Sequence, residues 1–155
     1  MKKLLTIMFA LMLSVMASAQ NAKALYEEGK ALYDAEQYDK AVPKLKAAAD
    51  KGHKKAQYRL GMCYKEGYSV KKDRKKAAEL FLQSAKQEYA KAQYQLAKAY
   101  LKGKGVTADP AKAKSWLKRA LADEKHGKEI LDKLRRKSAE GDEDAKQLLA
   151  LVGKK

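Results

Sequence analysis

One thiol, Cys63, and two imidazoles, His53 and His126, are the side chains of this 155-residue chain best suited to nucleophilic, general-base or soft-metal chemistry near neutral pH. A catalytic pair needs a thiol and an imidazole that converge, and a closed zinc site needs four ligands. One Cys and two His fall short of the zinc site and exclude a disulfide within the chain. No G-x-S-x-G, H-E-x-x-H or Gly-rich phosphate loop ending in Gly-Lys-Ser/Thr occurs either. The sequence therefore predicts a non-enzymatic protein with no cofactor and no metal.

What the chain has in quantity is positive charge and phenol rings. Lys and Arg number 35 against 19 Asp and Glu, a formal +16, and there are nine Tyr. Such a surplus attracts polyanions from a distance. Its densest run, Lys71-Lys72-Asp73-Arg74-Lys75-Lys76, has the pattern of a solvated face. No nucleic-acid reader motif accompanies it, and nucleic acid is not expected as a physiological partner.

The elements that must position these side chains repeat. Ala56-Gln57-Tyr58-Arg59-Leu60-Gly61-Met62-Cys63-Tyr64 recurs 36 residues later as Ala92-Gln93-Tyr94-Gln95-Leu96-Ala97-Lys98-Ala99-Tyr100. Gly67, Asp73 and Lys76-Ala77 recur at the same offset as Gly103, Asp109 and Lys112-Ala113, and Leu80-Phe81 as Trp116-Leu117. Ala56, Leu60, Cys63 and Tyr64 share one helical face, as do Ala77, Leu80, Phe81 and Ala85, so each copy reads as two helices. Gly67 and Gly103 predict left-handed helix stops, while Asp73 and Asp109 predict the caps of the helices that follow, with Pro110 at a first helical position. Cys63 falls where the next copy has Ala99, a small slot between helices, and Trp116 falls on a core position. His53 and His126 stand at junctions between copies, as does Tyr89.

A shorter copy precedes these, with Ala24-Leu25-Tyr26-x-x-Gly29-x-x-Leu32-Tyr33, then Tyr38-x-x-Ala41 and Leu45-x-x-Ala48. Its Gly29-to-Ala41 spacing is 12, against 16 from Gly61 to Ala77, so the later turns are four residues longer. The short copy resembles a tetratricopeptide repeat. The long copies, with A-x-x-x-L-G-x-x-Y-x-x-G-x-x-V-x-x-D-x-x-K-A, are similar to Sel-one-like repeats of the same superfamily. Glu28 departs from the apolar preference of the tetratricopeptide pattern, and Ala97 replaces the Gly of the previous copy. The resemblance implies an all-α fold, an α-solenoid of stacked antiparallel helix pairs, in one domain over residues 20–155. Its parts are a tetratricopeptide-like repeat at 22–50, Sel-one-like repeats at 53–87 and 89–123, and capping helices at 127–152.

Relatives of this kind present set positions of each first helix to a concave groove. Carried over residue by residue, these are Lys23, Tyr26, Lys30 and Tyr33 in the first copy and Lys55, Tyr58, Met62 and Lys65 in the second. The third supplies Lys91, Tyr94, Lys98 and Leu101. A Lys with a Tyr three residues on recurs in all three copies, which sets ammonium groups beside phenols on one helical face. Such a face suits an acidic peptide or protein partner, Lys giving charge and Tyr apolar contact with a polar tip. Packing of the tyrosines between repeats, with merely solvated lysines, is the plainer alternative. An anionic cell-envelope polymer or surface is the alternative partner.

The first 19 residues read as a secretory signal peptide: Met1-Lys2-Lys3, an apolar run from Leu4 to Met16, then Ala17-Ser18-Ala19 as a small-x-small cleavage site. The apolar run is shorter than the ~20 residues of a spanning helix, and no Cys follows it to accept a lipid. The expected product is periplasmic or secreted, has no transmembrane segment, and retains 33 basic against 19 acidic residues, a formal +14. N-terminal sequencing of the exported protein is expected to start at Gln20, and a product that still carries Met1 overturns the assignment.

Overall fold

The computed structural model describes residues 2–153, and the side chains of all of these but 2, 3, 5, 6 and 10. Met1, the start of the expected leader, lies outside the described residues. Eight helices follow one another among them: α1 (Lys2–Asp34), α2 (Tyr38–Asp50), α3 (Lys54–Glu66), α4 (Arg74–Lys86), α5 (Ala90–Lys102), α6 (Pro110–Leu121), α7 (Gly127–Ala139) and α8 (Glu143–Leu151). No strand occurs among the described residues. The fold is the all-α stack of antiparallel helix pairs that the repeats predict.

Helix ends obey the local chemistry. Gly67 and Gly103 close α3 and α5 in the left-handed region, at φ of +88° and +63°, where a side chain would be strained. The carboxylates of Asp73, Asp109 and Asp142 accept the backbone N–H of Lys76, Lys112 and Ala145 at 2.9, 2.9 and 3.0 Å, satisfying donors that the first helical turn leaves open. His53 caps α3 in the same way, its Nδ1 accepting from Ala56 N at 3.3 Å.

Three cores run along the stack, and the first two each span a joint. Leu45 and Ala41 of α2 meet Leu60 and Cys63 of α3, and Phe81 of α4 meets Leu96 of α5. The last joins Tyr94, Leu117, Ile130, Leu134 and Leu148 from α5 to α8. Cys63 is fully buried, and burial pushes its thiol up to about 11, so it behaves as the small apolar filler its register implies. Trp116 packs partly buried between the second and third cores, with the Arg119 guanidinium 4.7 Å from its ring centroid. Besides their sequence neighbours, α1 reaches α3, α5 reaches both α7 and α8, and α6 reaches α8.

Buried amides stitch the joints. Gln57 Nε2 donates to Ala49 O at 3.4 Å, and 36 residues on Gln93 Nε2 donates to Ala85 O at 3.3 Å. Each satisfies a carbonyl at the end of the preceding repeat.

Helix α1 continues without a break from Lys2 into the first repeat, since residues 2–28 contain neither Gly nor Pro. The side chains of Leu4, Ile7 to Phe9, Leu11 to Leu13, Val15 and Met16 stand exposed, and the first buried one among the described side chains is Ala22. Among the described residues no helix is long and apolar enough to cross a membrane.

Within a pair, one helix offers a notch and the other a knob. A Cβ built on Gly61 would lie 2.7 Å from Phe81 Cε1, and one on Gly29 would lie 3.0 Å from Leu45 Cδ2. In the third copy the smaller Leu117 replaces Phe81, and Ala97 occupies the notch. Gly61→Leu is therefore expected to overpack the notch and cost about 1 to 3 kcal/mol or more. Ala97→Gly should cost less, mainly the ~1 kcal/mol helix penalty of Gly. Thermal melts compare the two, and equal melting temperatures would show that the register is misplaced.

Candidate functional site

The structure divides the Lys/Tyr ladder into two kinds of residue. Its tyrosines turn into the joints. Tyr26, 4% exposed, stacks on the His53 ring at 4.4 Å between centroids; Tyr58 lies edge-on to Tyr89 at 5.3 Å and against Phe81 at 5.9 Å. Tyr94, 6% exposed, sits in the last core, where burial and then Asp142 and Asp144 push its phenol up to about 12. Tyr33 packs edge-on to Tyr38 and Tyr68, with the Arg59 guanidinium 4.8 Å from its ring centroid. Tyr26 and Tyr58 thus each meet the residue at the start of the next repeat, His53 and Tyr89, which is why their rings are covered.

The lysines remain at the surface. Lys23 and Lys55 are exposed; Lys91 approaches Glu129 at 3.6 Å, and Lys30 pairs with Asp34 at 3.0 Å. Lys65 pairs with Glu66 at 2.5 Å, and Lys98 lies half-buried with its ammonium 5.9 Å from the Tyr94 ring centroid. Met62 and Leu101 of the same register are half-buried packing residues.

Two of these lysines, Lys65 and Lys98, come together on a cavity of about 240 Å³ between α3, α4 and α5. Its floor is apolar, formed by Ala77, Ala78, Phe81 and Ala99. Lys72, Arg74, Lys102 and Lys104 complete the cationic wall, and Glu66 and Asp144 are its two carboxylates. Burial first, then Lys65 and Lys137, holds the Lys98 ammonium below the usual lysine value, while Asp142 and Asp144 oppose that shift. Sequence reasoning missed Lys72, Arg74, Lys102, Lys104 and Asp144. The available signal was the i, i+4 spacing of Lys98 and Lys102 on one helix face, beside a basic run that reads as solvated.

With this geometry in view, similarity to known proteins becomes informative. The Sel1 repeat family model matches residues 54–89 and 90–123, the two long copies. The chain is a Sel1-like repeat protein. A Sel1 repeat protein from Oxalobacter formigenes superposes with a TM-score of 0.63 at 27% identity, over 82% of this chain and 54% of that one. A protective antigen of uropathogenic Escherichia coli strains, with an SLR fold, gives 0.65 at 31% identity, over 85% of this chain and 29% of that one. This Sel1-like chain therefore spans only part of the length of either solved relative. No curated protein matches it. Sel1-repeat proteins generally mediate protein–protein interaction and are generally non-catalytic scaffolds.

The capping imidazole makes the first joint of this Sel1-like stack sensitive to acid. His53 accepts through Nδ1, which is possible only for the neutral ring, and burial followed by Lys55 holds its value below that of a free imidazole. A value depressed by folding means that the stabilisation is complete above about pH 6.5, the unfolded value, and is lost as pH falls through the lower folded value. His53→Asn keeps a capping side chain but does not titrate there. Thermal melts between pH 7.5 and 5 should fall less for this variant than for the parent, and equal slopes would exclude His53 as the source.

Proposed function

We propose that the chain is an exported, non-enzymatic interaction scaffold whose first helices form a concave inner row that takes an acidic peptide or protein partner. The observation that carries this reading is the lysine at one register of each first helix, Lys23, Lys55 and Lys91. Stacked repeats set equivalent residues side by side, so a cation present once per repeat becomes a stripe that an extended chain can follow. The tyrosines at the neighbouring register, Tyr26, Tyr58 and Tyr94, hold the helices that present the stripe. Lys30, Tyr33, Lys65 and Lys98 belong to the same inner row. The leader at residues 1–19 supports a periplasmic or secreted location for this binding.

The competing reading is a polycation on anionic envelope polymers. It draws on the exposed run from Lys71 to Lys76 and on the charge spread over α6 and α7, neither confined to the inner row. Salt separates them, because diffuse attraction is screened over a Debye length of about 8 Å at physiological ionic strength, while a groove with packed contacts keeps part of its affinity.

Replacing Lys23, Lys55 and Lys91 with Glu should weaken binding of a peptide of alternating aspartate and glutamate at least tenfold in a titration at 0.15 M salt. Replacing Lys75, Lys114 and Lys118 with Glu makes the same net-charge change away from the stripe and should leave most of the affinity. Equal losses in the two triple variants would replace the groove reading with the polycation reading.

A further inference from the structure

The cavity between α3, α4 and α5 has a charge imbalance that folding does not explain. Its six cations face two carboxylates, and both carboxylates are already engaged, Glu66 by Lys65 and Asp144 by Lys102. Lys72, Arg74, Lys98 and Lys104 have no ion pair among the described residues. Gathering like charges at a partly buried site is unfavourable, and burial first, then Lys65 and Lys137, holds the Lys98 ammonium below the usual lysine value.

The repeat itself supplies the control. At the positions 36 residues away, the neighbouring copy has Met62 for Lys98, Glu66 for Lys102 and Tyr68 for Lys104. In the other direction it has Leu101 for Lys65, Ala108 for Lys72 and Pro110 for Arg74. The first copy has Lys30 at the Lys98 place, but the helix-pair template calls for a cation at none of the other five. Their convergence on one cavity is a property of this joint and not of the repeat.

The shape of the cavity narrows the ligand. Its 240 Å³ is about eight times the ~30 Å³ that a water molecule occupies in the liquid, room for a charged group with a small body. A single carboxylate would offset one of four unpaired charges. A phosphomonoester brings nearly two charges at neutral pH and three acceptor oxygens on one centre, which the Arg74 fork and the lysine ammonium groups can share. The apolar floor lies where a carbon substituent would rest. We infer that this cavity binds a phosphomonoester dianion, held by Lys72, Arg74, Lys98 and Lys104, with its carbon substituent over Ala77, Phe81 and Ala99. The site shares Lys65 and Lys98 with the inner row but uses none of Lys23, Lys55 and Lys91, and its existence does not depend on an acidic peptide partner. Glu66 and Asp144 act as internal competitors, since each occupies a cation that the ligand would otherwise engage.

The test is calorimetric titration of the purified full-length protein with glycerol phosphate and with dimethyl phosphate, a monoanionic diester, at pH 7.5 and fixed ionic strength. Glycerol phosphate is expected to bind at least tenfold more tightly than the diester and to weaken below pH 6 as the dianion takes up a proton. Lys98→Met should cost tenfold or more, with a circular dichroism melt to show that the variant is folded. Glu66→Gln and Asp144→Asn should each tighten binding severalfold, a gain that a misfolded variant could not produce. Lys114→Met, outside the cavity, should change nothing. Equal affinity for the monoester and the diester, or equal losses in Lys98→Met and Lys114→Met, would overturn the site in favour of diffuse charge. Displacement of the ester by the aspartate-glutamate peptide, with both lost in Lys98→Met, would overturn it in favour of a cavity that belongs to the peptide groove.

Discussion

No helix pair in this chain can bury its apolar face alone, and the stack exists because each pair leans on the next. The contact that allows it is the notch and knob within each repeat: Gly29 under Leu45, Gly61 under Phe81, and Ala97 in the cluster with Leu117. The knobs are 36 residues apart, which keeps them in one row. When the helices of a pair approach this closely, their outer residues fall within reach of the following pair, and the first two cores form across the joints rather than inside the repeats. The surface ion pairs contribute less. Most are exposed, where such pairs are worth about 0–1 kcal/mol.

Much of this was legible in the sequence, because a fixed period turns every cap and core residue into a repeated observation. The left-handed Gly67 and Gly103, the Asp73 and Asp109 caps and the buried Cys63 slot could all be read from spacing. The burial of the phenols was one of two readings that spacing left open. Whether Tyr26 is open or covered depends on where His53 of the next repeat falls, a distance that only the packed joint sets. The cavity was hidden for a related reason: its walls extend from Lys65 to Asp144 in sequence and come from four helices and two connecting turns. Periodicity reveals what is the same in each copy. The cavity is built from what differs.

The aromatic residues at the junctions extend this logic. His53 and Tyr89 stand at equivalent helix starts, with His126 at the next one, and each ring meets another: Tyr26 with His53, Tyr58 with Tyr89, and Tyr89 with His126 at 6.1 Å. Two of the three positions are imidazoles, one at either end of the Sel1 pair. Their partners differ. His53 caps α3 by accepting from Ala56 N, whereas the His126 ring lies 2.9 Å from the Asp123 carboxylate.

The glutamine stitches give the stack a mechanical character. Gln57 and Gln93 tie the first and second joints to the carbonyls of Ala49 and Ala85, and Ser84 adds a bond across to Lys54 O at 2.7 Å. At the α6–α7 joint the described residues include no counterpart of that amide, and α7 is tied back to α5 by Lys91 and Glu129 near the surface. A load applied along the stack would therefore meet two hydrogen-bonded couplings, which resist sliding, and then one held by the apolar core that runs from α5 to α8.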